Sequence, residues 1–100
     1  MLHMVNKSPF ERNNLESCLR LAKKGSAVLL IEDCVVAAMQ NTSFAEKVEA
    51  ASKEFKLFVL GPDLAARGLV EEKVIEGISI VDYAGFVDLT EEHGTVQSWL

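Results

Sequence analysis

Short runs of hydrophobic residues recur along the chain, and turn-forming residues follow each of them. The four clearest runs are residues 2–5, 27–31, 55–60 and 78–81. A continuous apolar run of this length is typical of a strand covered on both faces of a sheet, and Asn, Asp, Gly or Pro at its end favours a turn. The pattern predicts four strands, and residues 95–100 form either a short fifth strand or an extended arm.

Amphipathic segments lie between these runs. In the first of them, Leu15, Cys18, Leu19 and Ala22 recur with the i, i+3, i+4, i+7 spacing of one helical face. Gly25 follows this segment, and glycine is the residue that most often ends a helix. The spacing predicts a helix that packs this face against the sheet.

Polar residues at the starts of the other helices predict how each helix begins. Asp33, Asp63 and Asp82 each stand where a carboxylate can accept from the free backbone N–H groups of a first turn. Ser43 and Glu46 have the spacing of a capping box. The helices predicted in this way are residues 11–24, 34–39, 44–53, a brief helix from 63 to near 68, and 82–92.

Strands and helices alternate along the whole chain. Such alternation indicates right-handed crossovers between neighbouring parallel strands, with helices packed on both faces of the sheet. The fold predicted is a three-layer α/β domain, flavodoxin-like, with a mainly parallel sheet of four to five strands. A chain of 100 residues is too short for two separate cores, so residues 1–100 form a single domain.

Composition adds one observation to this picture. The chain is 49% hydrophobic and 25% charged, which excludes a disordered or collagen-like protein. Its mean hydropathy of +0.16 is high for so small a domain, so part of its surface is expected to be covered by another protein. The chain has neither an apolar run long enough for a membrane span nor the start of a secretion signal, and we expect it in the cytoplasm.

Charge and motifs exclude several kinds of chemistry. The net charge of −5 would repel the phosphate backbone, so direct binding to nucleic acid is not expected, and the chain has no glycine-rich phosphate loop. Two cysteines are too few for a zinc site and, in a reducing compartment, predict free thiols. His3 and His93 have no second ligand at i+3 or i+4, so neither a metal nor a cofactor is expected.

The carboxyl ends of the strands are where a parallel sheet places its functional groups. The segments that follow the strands are residues 6–9, 32–34, 61–63 and 82–83. N-capping explains the aspartates in three of them. Cys34 also lies there, but Glu32 and Asp33 disfavour a thiolate beside them, so Cys34 is interpreted as a small buried side chain.

Cys18 is the candidate for chemistry. On a helical wheel with Leu15 at zero, Cys18 lies at about −60° and Leu21 at about −120°. This places Cys18 at the margin of the core-facing stripe and Leu21 outside it. Cys18 is then either a cysteine at the edge of the core or a thiol that faces a subunit contact or cleft, where Arg20 or Lys24 would favour its thiolate.

Three longer blocks together resemble the DsrH/TusB family, and the likeness extends from Leu2 to Trp99. The blocks are the L-H-x-V-N-K-S-P-F start at residues 2–10, the D-L-x-A-R-G turn at 63–68 and the D-Y-x-x-F-V-x-L-T stretch at 82–90. Residues 29–33, Leu-Leu-Ile-Glu-Asp, add to the likeness. The N-K-S-P-F-E-R-N start at residues 6–13 and the cysteine at position 18 are more similar to the DsrH side of the family, since TusB-like chains tend to have an apolar residue at position 18.

This resemblance implies a DsrE-like fold and a function. Members of the family are subunits of cytoplasmic heterohexamers built from DsrE/TusD-, DsrF/TusC- and DsrH/TusB-like chains, and these complexes relay persulfide sulfur. One branch passes the sulfur through a DsrC/TusE-like acceptor to 2-thiolation of the wobble uridine of tRNA. The other branch serves the oxidation of stored sulfur.

The resemblance also implies a limited role for this chain. The essential carrier cysteine belongs to the DsrE/TusD chain, just after its third strand, where the present sequence reads Leu60-Gly61-Pro62-Asp63. We therefore expect an accessory or structural subunit, with Cys18 as a secondary sulfur-accepting thiol and no family role for Cys34. The alternative is a stand-alone α/β domain that binds a small ligand or senses redox state through a thiol.

Overall fold

The computed structural model describes residues 1–99 and shows five strands that alternate with helices. The strands are β1 Leu2–Val5, β2 Ala27–Leu30, β3 Lys56–Leu60, β4 Ser79–Val81 and β5 Val96–Trp99. The α-helices are α1 Asn14–Leu21, α2 Ala45–Ser52, α3 Gly61–Ala66 and α4 Tyr83–His93. The described residues also form two 3-10 helices between these elements: Glu32–Ala38, hereafter the connecting helix, and the short Glu71–Lys73.

The sheet has the strand order β4-β3-β2-β1-β5, and all four pairings are parallel. β1 lies between β2 and β5, so that Leu2 is the register partner of both Ala27 and Val96. The predicted parallel α/β architecture is confirmed. The tail forms the fifth strand rather than an extended arm, and the last residue of the predicted tail, Leu100, lies outside the described residues.

The two faces of the sheet are covered unequally. The larger core cluster includes side chains of α1, the connecting helix, α2 and α3, packed on one face of the sheet. On the opposite face a small cluster joins Leu2, Ala27 and Leu29 to Leu89 of α4. Because α4 is the principal cover of this second face, Met4 and Phe58 there are only partly buried.

The starts of the first three predicted helices differ from the predictions, because backbone and side-chain groups near them have other hydrogen-bond partners. The first helix begins at Asn14 rather than at residue 11, since residues 9–11 form a turn closed by backbone bonds to Ser8. α2 has no side-chain cap. The backbone N–H of Phe44 donates to the hydroxyl of Thr42, and Ser43 does not take the predicted capping role. The segment after Asp33 is a 3-10 helix that begins at Glu32 and has no side-chain cap.

Candidate functional site

The carboxyl edge of the sheet brings together residues from the ends of three strands. Asn6 directly follows β1, Glu32 is the second residue after β2, and Asp63 is the third residue after β3. The backbone N–H of Glu32 donates to Asp63 Oδ2 at 2.6 Å, and Asn6 Nδ2 donates to Glu32 Oε2 at 3.3 Å. Parallel strands end on the same side of a sheet, which is why these sequence-distant residues meet.

Glu32 has an unusual backbone conformation at this edge of the sheet. Its backbone φ is +50°, in the left-handed region that residues other than glycine rarely adopt. The hydrogen bond from its backbone to Asp63 helps to hold that conformation, and the chain turns there from β2 into the connecting helix. The predicted role of Asp63 as the cap of its own helix is therefore wrong, because α3 begins directly after β3 and the carboxylate reaches the neighbouring segment instead.

Asp33 also has a partner that the sequence did not indicate. Its Oδ1 accepts from Arg67 at 2.9 Å from Nη2 and 3.3 Å from Nε, which joins the connecting helix to the end of α3. The ion pair is partly exposed, so its contribution to stability is at most about 1 kcal/mol. Asp82 alone caps as predicted: its Oδ1 accepts from Gly85 N at 2.8 Å, at the start of α4.

The chemistry available at this edge is that of carboxylates and an amide. The Oδ1 atom of Asn6 is buried without a hydrogen-bond partner among the described residues. No group of three or more histidine, cysteine or acidic residues within residues 1–99 is arranged to hold a metal ion. The segment after β3 presents Gly61, Pro62 and Asp63 and contains no thiol.

Cys18 lies in the core and not at its margin. Its side chain is fully buried in the larger cluster, and burial raises the pKa of the thiol to about 12. Burial is the cause of this rise, and the expected support of a thiolate by Arg20 or Lys24 does not offset it. Leu21, in contrast, is 67% exposed, so its predicted position outside the stripe is confirmed.

Cys34 is buried in the same cluster, as predicted. Burial raises its pKa to about 12, and the nearby Cys18 contributes in the same direction because two negative thiolates would repel each other. Both thiols are free. The structure therefore holds two neighbouring cysteines in their protonated form inside one core, where they pack as small apolar side chains.

Two further features escaped the sequence reasoning. The rings of Phe10 and Phe44 meet edge to face, with their centroids 5.1 Å apart. Both line a cavity of about 230 Å³, to which Leu15 and Val48 also contribute. Trp99 donates through Nε1 to Nδ1 of the buried His3 at 3.1 Å. Both pairs join residues far apart in the chain, and no local pattern indicates such contacts.

The chain was compared with known proteins by sequence. A model of the DsrH-like protein family matches residues 7–96. The TusB protein of Pectobacterium parmentieri is 36% identical over 99 residues, which is 99% of this chain and 100% of that protein. The TusB protein of Escherichia coli K12 is 34% identical over the same shares of the two chains.

Comparison of structures gives the same fold at lower sequence identity. The ychN protein of Escherichia coli superposes with a TM-score of 0.76 at 18% identity, covering 97% of each chain. The protein Tm0979 of Thermotoga maritima superposes with a TM-score of 0.67 at 22% identity, covering 95% of this chain and 97% of that one. These likenesses concern the arrangement of strands and helices.

None of the helices within residues 1–99 has the length and apolar character of a membrane-spanning segment.

Proposed function

The chain belongs to the DsrH/TusB family, and on this premise we propose that it is a subunit of a sulfur relay, in which persulfide sulfur passes from protein to protein. The observation that carries the proposal is the match to the family over residues 7–96, together with 36% identity to a TusB protein along nearly the whole chain. The relay itself is the function that the sequence resemblance implies for this family.

We propose an accessory role within that relay. A carrier needs an accessible thiolate that attacks the outer sulfur of a donor persulfide. The segment after β3 has no thiol, and both cysteines are fully buried with pKa values raised to about 12. This chain would then shape the assembly, while the carrier thiol belongs to a DsrE/TusD-like neighbour.

Acceptance of sulfur by Cys18 stays a prediction. Because Cys18 lies on the buried face of α1, a persulfide donor would reach it only if α1 moved or if assembly changed its surroundings. The measurement is the mass of this chain after exposure of the assembled complex to a persulfide donor. A gain of about 32 Da that the Cys18→Ser variant lacks would support the role. No gain in the parent chain, or an equal gain in the Cys18→Ser variant, would contradict it.

The proposed partners are DsrE/TusD-like and DsrF/TusC-like chains in a cytoplasmic heterohexamer, with a DsrC/TusE-like protein as sulfur acceptor. Exposed apolar side chains support an assembly: Leu21 is 67% exposed, Tyr83 60%, Phe10 57% and Val87 51%. Leu21 lies at the end of α1, Phe10 in the turn before α1, and Tyr83 and Val87 on α4, which supports contact with more than one neighbour. The net charge of −5 supports transfer to tRNA through the acceptor rather than by direct contact.

The end use of the sulfur has two candidates. Similarity to proteins named TusB supports 2-thiolation of the wobble uridine of tRNA. The cysteine at position 18 and the N-K-S-P-F-E-R-N start at residues 6–13 support the DsrH side and the oxidation of stored sulfur. Loss of 2-thiouridine from the tRNA of a strain that lacks this chain would favour the first use. Unchanged 2-thiouridine with slower consumption of stored sulfur would favour the second.

Co-expression with the two partner chains tests the proposal. We expect a stable mixed complex of defined stoichiometry by native mass spectrometry, and we expect Leu21→Asp or Val87→Asp to weaken it. Lys23→Asp is the matched control for Leu21, since it changes an exposed residue near the same helix end. A lone monomer in the presence of both partners would contradict the proposal and favour the stand-alone ligand-binding or redox-sensing domain.

A further inference from the structure

β4 is an exposed edge of the sheet. It is the outermost strand on its side and, among the described residues, pairs only with β3. Ser79 and Ile80 are exposed, with Ile80 at 37%. Backbone N–H and C=O groups on the outer side of such a strand are free to pair with another chain.

An open groove runs beside this strand. It has a volume of about 590 Å³ and lies between α3, β4 and the start of α4. Gly61 and Gly85 keep its walls close: a Cβ at Gly61 would come within 3.2 Å of Ile80 Cγ2, and one at Gly85 within 3.0 Å of Val81 Cβ. The remaining lining residues are Pro62, Ala65, Glu71 and Asp82.

The groove has a single sign of charge. Its ionisable lining residues are Glu71 and Asp82, both acidic and both exposed. Asp82 uses Oδ1 to cap α4, which leaves its second oxygen toward solvent or a ligand. Ile80 and Val81 supply apolar lining, and the exposed Val70 and Tyr83 are next in sequence to the two acidic residues.

We propose that β4 and this groove, together the β4 groove, bind an extended segment of a partner protein that carries alternating apolar and basic side chains. The segment adds to Ser79–Val81 as a further strand, places an apolar side chain against Ile80, and pairs a lysine or arginine with Glu71 or Asp82. A second copy of this chain fits less well, because two such edges would oppose acidic residues to acidic residues. The inference goes beyond the proposed function, which assigns no partner to a surface.

The test uses the full chain, labelled with ¹⁵N, and two short peptides. One peptide alternates valine with lysine, and the other alternates valine with glutamate. We expect the lysine peptide to shift the amide signals of residues 79–81 and of the neighbouring α4 start, and to bind more weakly as salt is raised. The glutamate peptide should leave these signals in place.

Variants locate the binding. Ile80→Lys should weaken the lysine peptide about tenfold or more, since a like charge then stands beside the added strand. Val96→Lys is the matched control, because Val96 lies on the other edge strand and is 39% exposed against 37% for Ile80. Glu71→Gln should weaken binding less than Ile80→Lys, by removing one charge and no backbone contact.

Several results would overturn the inference. Equal binding of the two peptides, shifts at β5 in place of β4, or an equal loss on Ile80→Lys and Val96→Lys would each show that the β4 groove is not selective. Absence of binding at the highest peptide concentration would show that the β4 groove does not bind such a segment. Failure of the proposed function is seen separately, as the absence of a mixed complex on co-expression.

Discussion

At the scale of single residues, the two cysteines decide what this chain does with sulfur on its own. Cys18 and Cys34 share one core, and burial holds the pKa of each near 12. At about pH 8 such a thiol is ionised in about one molecule in ten thousand. A thiol that is both covered and protonated attacks an electrophile only when the fold opens.

We therefore expect iodoacetamide to label Cys18 and Cys34 at least about a hundredfold more slowly in the folded chain than in the unfolded chain. Mass spectrometry of samples quenched over time measures this rate. The variant Lys23→Cys supplies an exposed thiol as an internal control for the reagent. Labelling of Cys18 in the folded chain as fast as that of the control thiol would contradict the prediction.

His3 makes the stability of the fold depend on pH. Burial, and then the charge of the nearby chain amino group, lower its pKa below the usual 6.5, and its Nδ1 accepts from Trp99 Nε1. A lowered pKa means that the unfolded chain binds the proton more tightly than the folded one. Stability is therefore full above about pH 6.5 and falls as the pH drops from there toward the pKa of the folded state.

The expected result is a free energy of unfolding that decreases below about pH 6.5, measured by urea denaturation at a series of pH values. His3→Gln should flatten this part of the profile. His93→Gln serves as the control and should retain it. A profile of the same steepness in His3→Gln and in the parent chain would show that His3 is not responsible.

At the scale of elements, the passage from β2 into the connecting helix depends on one strained residue. Glu32 has a φ of +50°, and glycine adopts such a conformation without steric cost. Glu32→Gly should therefore leave the free energy of unfolding within about 0.5 kcal/mol of the parent, because the relief of strain offsets the greater freedom of the unfolded chain. Glu46→Gly, in the first turn of α2, should cost about 1 kcal/mol.

Asp63 tests the same passage from the other side. Its carboxylate accepts from Glu32 N, so Asp63→Ala should cost about 1 to 2 kcal/mol in the parent chain. Urea denaturation measures both substitutions. If Glu32→Gly destabilised the chain as much as Glu46→Gly, the left-handed conformation would not be what shapes this turn.

The sequence predicted elements better than their junctions, for a physical reason. An apolar run such as residues 27–31 identifies a buried strand wherever its partners lie. Caps are less certain, because a carboxylate such as Asp33 or Asp63 reaches across to a neighbouring segment when the fold brings one near. The helical wheel placed Leu21 outside the core correctly, but it could not show that Cys34 would lie near Cys18 and help to enclose it.

At the scale of the whole molecule, the unequal cover of the sheet explains the high mean hydropathy. One face supports a large core, whereas on the other the side chains of α4 meet a small cluster of three strand residues. Tyr83 and Val87 on α4 are 60% and 51% exposed. Apolar side chains exposed together on one helix favour association, because contact removes them from water.

We expect the isolated chain to associate weakly as its concentration rises, measured as average mass by sedimentation equilibrium. Val87→Lys should lower this association. Asp88→Lys, at the next exposed position of the same helix, should preserve or increase it by reducing the net negative charge. A chain that remains monomeric at every concentration would indicate that these side chains do not promote contact between copies.

The candidate site was less accessible to sequence reasoning than the fold. Strand order determines which loop residues become neighbours, and the meeting of Asn6, Glu32 and Asp63 follows from β1, β2 and β3 lying side by side. The four loop segments themselves were identified correctly as the ends of strands. What each side chain would bind there depended on distances that no spacing in the chain contains.

The central position of β1 has a consequence for how the protein is made. β1 is synthesised before the other strands of this sheet, yet one of its two neighbours, β5, is the last of these five strands to be synthesised. Until residues 96–99 emerge, the nascent chain holds a bare edge on its first strand, and such an edge pairs readily with other chains. Translation that stops short of β5 therefore yields a product prone to aggregation, although every buried residue of the large core has already been made and only the partly buried Trp99 is missing from it.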